Sequence, residues 1–296
     1  MKNPILAILE HFNRSVWPLG LRIKGNMRGY ERKQGYSFDT RHPVTFTEKL
    51  QWYKMFYEHP DMTRMVDKYL FKQFIAEKLG EGYTIPLYGM WTSLDDFKRD
   101  YQSLPQVFVL KGTLQSDGKS IMVIDKSTVN EAEMHQMVID SLNPKNTLIN
   151  SYCHAYHNAV PRVIAEKFEA SVGDQLYDYK FFCFDGVPFC IYVAQDHFGK
   201  DGSHISFYDL DWNKLDVQYG NHIVGDAEKP KHFDEMVEIA KKLSAGFPFL
   251  RVDFFDTDEK LYMAELTFYP GGGYTPYHPE SFNQQMGELF KLPNKK

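Results

Sequence analysis

The chain has 296 residues, of which 43% are hydrophobic and 16% aromatic, a composition that excludes a disordered protein and suffices for one large or two compact domains. Its net charge of −5, with lysines and arginines scattered along the sequence, argues against a nucleic-acid-binding surface. Three cysteines are too few for a disulfide framework, so we expect a reducing, cytoplasmic environment.

The N-terminal segment contains a short apolar run at residues 4–9, followed at once by a glutamate and a histidine. A signal peptide requires a longer apolar core, and a membrane-spanning helix requires roughly 20 apolar residues, so neither is expected. The apolar residues Ile5, Leu9 and Phe12 recur at helical spacing. We expect a helix packed on the body of the protein, with a helix lying on a membrane surface as the alternative.

Helices are predicted in the first part of the chain. Residues 45–57 open with a threonine–glutamate pair suited to capping and then place apolar side chains on one face. Residues 61–79 continue the helical pattern until Gly80, which is a typical stop signal. We therefore interpret residues 1–84 as a helical N-terminal region.

The middle of the chain, residues 85–162, is predicted to form a small subdomain of strands and helices. The expected elements are strands at 85–88, 107–110 and 121–124 and helices at 94–101 and 131–142. The second of these strands is a continuous apolar run, which indicates burial, and a polar, glycine-containing loop joins it to the third. Two strands joined in this way are expected to form a flap over a ligand.

Lys111 ends the buried strand of the flap and opens the loop that contains Ser116 and Gly118. An ammonium group at this position, together with loop amides, could hold phosphate oxygens. The loop does not follow the P-loop pattern, in which Gly-Lys-Ser/Thr opens a helix, and an ordinary β-turn loop is the alternative.

Residues 163–296 are predicted to form a C-terminal subdomain of hairpins and helices. The expected strands are at 163–168, 181–184, 189–193, 249–255 and 261–267, with a helix at 233–243. The dipeptide Asp185-Gly186 is a turn signal at the centre of the first hairpin. Antiparallel hairpins with helices to one side predict an α+β fold.

The second hairpin carries the most informative pattern. Along its first strand, Arg251 and Asp253 alternate with apolar residues, so both should point to one face of the sheet. Glu265 and Thr267 likewise share a face of the second strand. Across an antiparallel pair the two carboxylates can converge on one cation, and hard oxygen ligands suit magnesium. An exposed charged face on an edge hairpin is the alternative.

The order of the motifs along the chain is more specific than any one of them. The series comprises DK at 67–68, LK at 110–111, AEKF at 165–168, DYK at 178–180, RVD at 251–253 and ELT at 265–267. It resembles the ATP-grasp superfamily, as in the D-alanine–D-alanine ligases, and more closely the TupA-like branch, named for teichuronopeptide biosynthesis. The segments that resemble this branch are FTEKLQWY at 46–53, DYKFFCF at 178–184, YDLDW at 208–212 and ELTFYP at 265–270.

The resemblance implies an ATP-grasp fold, in which two α/β subdomains clasp the nucleotide, with a helical N-terminal region. It implies a set of ATP-binding residues: the phosphate-holding Lys68 and Lys111, the phosphate-loop residues Ser116 and Gly118, the adenine-binding hinge Glu166, Lys167 and Phe168, the ribose-binding Asp178, and Lys180 in the same cleft.

For the metal, the resemblance implies that Asp253 and Glu265 are the Mg²⁺ carboxylates. Thr267 stands where the superfamily usually has an asparagine as third ligand. Arg251 would lie near the transferred phosphoryl group or acyl phosphate, and Lys111 would be the second catalytic residue. No nucleophilic side chain is required, because the amine attacks the acyl phosphate directly.

The implied activity is that of an ADP-forming, Mg²⁺-dependent carboxylate–amine ligase. The carboxylate would be a uronic acid or an amino acid, free or carried by a sugar nucleotide or glycan, in bacterial capsule or O-antigen synthesis. Arg41, His42 and Arg162 are candidates for contact with an anionic substrate. Nucleic acid is not expected as a partner, and peripheral association with a membrane is retained as an option.

Other interpretations of the sequence remain open. The Asp-x-Asp triplet at residues 209–211 is of the type that holds a metal-bound sugar nucleotide in glycosyltransferases, although a turn between strands also accounts for it. Thr267 leaves open a non-catalytic binding module. A cysteine and two histidines within residues 153–157 suggest a metal cluster, but their spacing matches no known zinc motif.

Overall fold

The computed structural model describes residues 18–115, 120–148, 151–169, 177–195, 204–257 and 259–293. The chain divides into two compact units: the first is Met1–Arg22 with Glu58–Glu169, and the second is Ile23–Tyr57 with Ala170–Lys296. Each unit combines helices with a mainly antiparallel sheet, so the predicted α+β class is confirmed. No helix within the described ranges has the length and apolar character needed to cross a membrane. The apolar run at residues 4–9 lies outside these ranges.

The described residues contain eight α-helices. A capping box opens the second of them, because the Thr45 hydroxyl accepts from the Glu48 amide and the Glu48 carboxylate accepts from the Thr45 amide. The helix predicted at residues 61–79 is instead two helices, since the Asp67 carboxylate accepts from the amides two and three residues on and starts a new one. The helices are α1 (Leu19–Gln34), α2 (Phe46–Phe56), α3 (Met62–Val66), α4 (Leu70–Leu79), α5 (Leu94–Asp100), α6 (Glu131–Leu142), α7 (Phe233–Ser244) and α8 (Glu280–Leu289).

The first unit contains a four-stranded antiparallel sheet in the order β1-β4-β2-β3, made of β1 (Leu87–Trp91), β2 (Val107–Gly112), β3 (Ile121–Asp125) and β4 (Val163–Lys167). Along β2, Phe108 and Leu110 are buried in a core that includes Phe97 of α5 and Val138 of α6. Because side chains alternate along a strand, Lys111 lies on the other face of this sheet.

The second unit contains a seven-stranded sheet in the order β10-β7-β6-β5-β11-β12, with β8 paired to β7. Its central strands are buried on both faces, against α7 on one and against the aromatic side chains of α2 and α8 on the other. The strands are β5 (Asp178–Phe184), β6 (Val187–Gln195), β7 (His204–Tyr208), β8 (Lys214–Leu215), β9 (Gln218–Tyr219), β10 (Ile223–Val224), β11 (Leu250–Asp256), β12 (Leu261–Thr267) and β13 (Tyr277–His278), the last paired with β9.

Both C-terminal hairpins form as the sequence predicts. Asp185 and Gly186 turn β5 into β6 with positive φ angles of 48° and 81°, the backbone that an Asp-Gly hairpin turn requires. The second hairpin pairs β11 with β12, and a β-bulge follows Asp253.

The division of the chain differs from the predicted boundaries. Strand β4, which was expected to open the C-terminal subdomain, pairs along its length with β1 and β2 and therefore belongs to the first unit. Residues 23–57 group with the second unit, where Phe46 packs on Phe182 and Phe249. The first unit consequently ends at Glu169, beyond the predicted end of the flap at residue 162.

Gly287 lies inside α8, where an alanine would normally favour the helix by about 1 kcal/mol. At this position an added Cβ would lie 2.9 Å from the Thr45 backbone and closer still to the Val44 carbonyl oxygen. We expect Gly287→Ala to lower the free energy of unfolding by about 1–3 kcal/mol, because the added methyl group would clash with backbone atoms, which cannot move aside as a flexible side chain can. Gly20→Ala in α1, with open space around it, should not destabilise. Urea unfolding of both variants tests this, and an unchanged or more stable Gly287→Ala would contradict it.

Candidate functional site

A buried carboxylate stands at the centre of the charged face of the first unit's sheet. The side chain of Glu166 on β4 is 6% exposed and lies between two ammonium groups. Its Oε1 is 2.5 Å from Lys72 Nζ on α4, and its Oε2 is 2.6 Å from Lys111 Nζ on β2. Lys72 also donates to the Ile85 carbonyl at 2.6 Å. The strand pairing brings Lys111 and Glu166 onto the same face as diagonal neighbours, because Glu166 is opposite Val109, two residues before Lys111.

The two lysines keep Glu166 ionised. Burial alone would raise the pKa of its carboxyl group, but the ammonium groups of Lys111 and Lys72 lower it to about 2. The ion pair with Glu166 in turn fixes the position of the Lys111 ammonium at the end of the flap strand. Lys72 was not among the residues singled out from the sequence. The only available signal was its position four residues after Lys68, which is too common to identify a partner.

Apolar side chains surround this ion pair on the same face of the sheet. Val109 stands opposite Glu166 on one side and opposite Val123 on the other, while Ile121 stands opposite Lys111. Val123 is 55% exposed and Ile121 is 37% exposed. These exposed apolar side chains therefore lie on the same face of the sheet as the Glu166 ion pair.

Lys68 lies in the short break between α3 and α4. Its ammonium donates to the Gln115 carbonyl at 2.9 Å, within the predicted phosphate loop. Ser116 and Gly118 of that loop lie outside the described residues. The adjacent Asp67 is fully buried and pairs with Arg162 at 2.8 Å, so this arginine serves an internal ion pair.

The remaining residues of the predicted hinge and substrate set lie at the surface or at a strand end. Lys167 ends β4, where its amide donates to the Pro86 carbonyl and its exposed ammonium pairs with Glu169 at 2.9 Å. Phe168 follows and is half-buried. The side chains of Arg41 and His42 are exposed and both contact Asp39, one of their near neighbours in sequence.

The second cluster is a row of charged side chains across three neighbouring strands of the second unit. Lys180 on β5 stands directly opposite Asp253 on β11, and Asp253 stands directly opposite Glu265 on β12. Arg251 is in the same way opposite Thr267. Because directly opposite residues share a face, all five side chains lie on one face of the sheet. Asp253 and Glu265 therefore lie opposite each other on one face of the sheet, as the alternation along the two strands predicts.

Asp253 is the most strongly engaged member of this row. Its side chain is 1% exposed, and the guanidinium of Arg251 binds it through two hydrogen bonds, Nε to Oδ1 at 2.8 Å and Nη2 to Oδ2 at 2.6 Å. Lys180 Nζ lies 3.2 Å from Oδ2 and also pairs with Asp178. Burial alone would lower the pKa values of Arg251 and Lys180, but the neighbouring carboxylates raise both.

Glu265 offers the more accessible carboxylate. Its side chain is 34% exposed, and its nearest cation is Arg251 Nη2 at 3.9 Å. Thr267 Oγ1 accepts from the same guanidinium nitrogen at 3.0 Å. Among the residues that the structure describes, no three acidic, histidine or cysteine side chains come together as a metal-binding group. Two paired carboxylates nevertheless provide the hard oxygen donors that fit magnesium, which often keeps several waters and takes only one or two protein carboxylates.

The rival motifs have structural roles. Asp209 accepts hydrogen bonds from the Asp211 amide at 3.0 Å and from the Asn213 amide and side chain at 2.7 and 2.9 Å, so its carboxylate closes its own turn. Asp211 is exposed. In the segment 153–157, His154 Nε2 pairs with Glu58 at 3.2 Å, and His157 Nε2 contacts the Ser151 carbonyl at 3.1 Å.

A family model described as TupA-like ATPgrasp matches residues 48–291. Among solved structures, the chain is similar to a D-alanine–D-alanine ligase from Helicobacter pylori, with 18% identity and a TM-score of 0.44, over 77% of this chain and 61% of that one. It is also similar to the D-cycloserine synthetase DcsG, with 18% identity and a TM-score of 0.40, over 78% and 72%. The chain thus spans less than two thirds of the first of these proteins. No curated protein matches it.

The Glu166 ion pairs make stability depend on pH in a defined direction. A carboxyl pKa of about 2 in the folded protein, against an ordinary 4.5, contributes about 3 kcal/mol that is present above pH 4.5 and lost as pH falls towards 2. We expect Glu166→Gln to lower the free energy of unfolding at pH 7 by at least this amount, and the deficit to shrink by about 2 kcal/mol at pH 3. Urea unfolding at both pH values measures it, with the exposed Glu133→Gln of α6 as the control. A deficit that does not change with pH would contradict this assignment.

Proposed function

Because the chain belongs to the TupA-like ATP-grasp family, we propose that it is an ATP- and Mg²⁺-dependent ligase that joins a carboxylate to an amine through an acyl phosphate. One observation supports this most directly. Asp253 and Glu265 occupy opposite positions on β11 and β12. Arg251, which is opposite Thr267, lies beside both carboxylates. Paired carboxylates beside a guanidinium suit the transfer of a phosphoryl group, which needs charge neutralisation and positioning more than a nucleophilic side chain.

In the first unit, we assign the nucleotide base and phosphates to the charged face of the sheet. Lys68 and Lys111 would hold phosphate oxygens, and Ser116 and Gly118 would belong to the phosphate loop. The backbone of residues 166–168 would hold adenine, with the exposed Val123 and Ile121 as apolar contacts for the base. Glu166 would act by fixing the Lys111 ammonium, to which it is bound at 2.6 Å.

In the second unit, Asp253 and Glu265 would hold magnesium, with Thr267 beside them, and Asp178 would bind the ribose. When bound, the metal would supply positive charge to the γ-phosphoryl group as it moves to the substrate carboxylate. Arg251 is already oriented by two hydrogen bonds to Asp253, so its guanidinium would stabilise the transferred group without further reorganisation. The acyl phosphate formed in this way is electrophilic enough for a neutral amine to attack.

The substrates that we propose are a uronic acid or an amino acid as the carboxylate, free or carried by a sugar nucleotide or glycan, and an amine-bearing partner. The proposed setting is capsule or O-antigen synthesis in the cytoplasm, where ATP is available. This assignment rests on the family resemblance. The ligase assignment is favoured over a glycosyltransferase because the Asp209 carboxylate, which would hold a metal-bound sugar nucleotide, is hydrogen-bonded within its own turn.

We further propose that helix α1 attaches the protein peripherally to an anionic membrane surface. Lys24, Arg28 and Arg32 are exposed and form one stripe along α1, opposite the buried Asn26 and Tyr30. None of the three basic side chains pairs with an acidic group among the described residues. A basic stripe on a chain of net charge −5 is complementary to anionic lipid headgroups.

Turnover can be tested before the substrates are known. Hydroxylamine should trap the acyl phosphate as a hydroxamate, so a panel of carboxylates can be screened for ADP and phosphate release in its presence. We expect Glu265→Gln to lower this turnover by about 10²–10³-fold, as for loss of one group that stabilises developing charge. Glu265 is the better probe because removing the buried Asp253 carboxylate would leave Arg251 and Lys180 uncompensated and unsettle the fold. Asp211→Asn is the matched control.

Two results would contradict the ligase assignment. Release of UDP from a sugar nucleotide without ATP consumption, abolished by Asp211→Asn, would show a glycosyltransferase. Release of AMP and pyrophosphate would show an adenylating enzyme and not one that forms an acyl phosphate.

Membrane attachment is tested by co-sedimentation with vesicles. Each basic residue near an anionic surface contributes about 1 kcal/mol, so changing Lys24, Arg28 and Arg32 to serine should weaken binding to phosphatidylglycerol vesicles by about 100-fold. The parent protein should bind pure phosphatidylcholine weakly. A control with three exposed lysines changed elsewhere, Lys98, Lys145 and Lys242, should keep its binding. Equal binding by the stripe variant and the control would refute the assignment of α1.

A further inference from the structure

The carboxylate that we assign to magnesium has both of its oxygens engaged by the chain itself. Asp253 Oδ1 accepts from Arg251 Nε at 2.8 Å, and Oδ2 accepts from Arg251 Nη2 at 2.6 Å and from Lys180 Nζ at 3.2 Å. The Asp253 side chain is only 1% exposed, so water cannot readily take the place of these hydrogen bonds. Any cation that takes this carboxylate as a ligand must therefore share it with, or displace, one of two positively charged side chains.

We propose that Lys180 competes with the metal ion for Asp253 and thereby makes the site selective for a metal that arrives with nucleotide phosphates. The inference rests on the proposed function, because it takes Asp253 and Glu265 as the metal carboxylates. It assigns to Lys180 a role distinct from direct contact with ATP.

The two cations that bind Asp253 differ in how easily they can be displaced from its carboxylate. Arg251 makes two short hydrogen bonds to Asp253 and a third to Thr267, in a fixed planar arrangement. Lys180 makes one longer contact to Asp253 and has a second partner, Asp178, two residues away on the same face of β5. A lysine ammonium on a flexible stem can give up the first contact and keep the second. Lys180 is therefore the cation that moves.

The charges in the row explain the selectivity. Lys180 and Arg251 nearly balance the three carboxylates Asp178, Asp253 and Glu265, leaving one negative charge. A free divalent ion would turn this into a net positive charge among buried groups, which is unfavourable. A divalent ion bound to a nucleotide triphosphate belongs to a complex of net negative charge, so Lys180 attracts the phosphates while it repels the ion, and the two effects offset each other. Without the Lys180 charge, the row would hold two negative charges and attract a free metal ion strongly.

The test measures binding of Mn²⁺ alone, which prefers the same oxygen ligands and whose free concentration is read from its electron paramagnetic resonance signal. We expect Lys180→Met to bind Mn²⁺ at least about tenfold more tightly than the parent protein, since repulsion between a single and a double charge about 5 Å apart exceeds a factor of ten even at the dielectric constant of water. Lys180→Arg keeps the charge in a less mobile side chain and should bind Mn²⁺ no more tightly than the parent. Lys214→Met, which removes an exposed lysine paired with Asp226 on the same sheet, should also bind like the parent.

A second titration uses Mn²⁺ with a non-hydrolysable ATP analogue. The gain from Lys180→Met should be several-fold smaller there than for the free ion, because the triphosphate already compensates the metal charge. If Lys180→Met disturbs folding, Lys180→Gln, which keeps a hydrogen-bond donor without the charge, takes its place in both titrations.

The outcomes separate this inference from the proposed function. Equal or weaker Mn²⁺ binding by Lys180→Met, in a parent that binds the Mn²⁺–nucleotide complex, would overturn the competition and leave the ligase assignment in place. A gain as large with the nucleotide as without it would overturn the selectivity. Failure of the parent and all variants to bind Mn²⁺ under either condition would overturn both the metal site and the competition.

Discussion

A carboxylate buried in a sheet stays ionised only if positive charge is brought to it, and this requirement governs both units of the protein. Glu166 in the first sheet is neutralised by Lys72 and Lys111, and Asp253 in the second by Arg251 and Lys180. Breaking such a pair leaves an uncompensated buried charge, which is costlier than never having formed the pair. Each sheet therefore holds these lysine and arginine side chains in place through a carboxylate, and their positions depend on the stability of the fold.

Strand register places the charged side chains of neighbouring strands on the same face of the sheet. In an antiparallel sheet, opposite residues share a face, and a shift of one residue would turn every side chain of a strand to the other face. The order Lys180, Asp253 and Glu265 across β5, β11 and β12 therefore depends on the apolar residues between them, such as Phe181 and Val252, which are fully buried. The charged row is positioned by the hydrophobic alternation of its own strands.

The features that the sequence predicts are those determined by neighbours in the chain. The capping box at Thr45, the Asp185-Gly186 turn and the shared face of Arg251 and Asp253 each follow from spacings of a few residues. The family and the α+β class follow from the order of such local motifs. Pairing between distant segments is not determined in this way. The placement of β4 in the first sheet depends on β1 and β2, and nothing in its own sequence indicates that pairing.

Contacts with distant segments also decide the roles of Lys72 and Asp67. For this reason the sequence does not indicate Lys72 as a partner of Glu166, and it predicts a continuous helix through Asp67. A lysine on an amphipathic helix is ordinarily a solvated residue, and only the approach of Glu166 from another element makes it an internal cation. Asp67 breaks the helix because its carboxylate serves two amides and Arg162, a partner 95 residues away in the chain.

The choice between lysine and arginine in the two clusters has a chemical meaning. Arginine binds a carboxylate through a rigid, planar pair of hydrogen bonds, whereas lysine presents a compact charge on a flexible stem. Arg251 is held in this rigid manner and is suited to a fixed role beside a reacting group. Lys72 and Lys180 each bind two oxygen partners, so either can release one of them and keep the other. The ligase that we propose would accept and release a highly charged nucleotide, and such a site would need both properties: one cation that does not move and others that do.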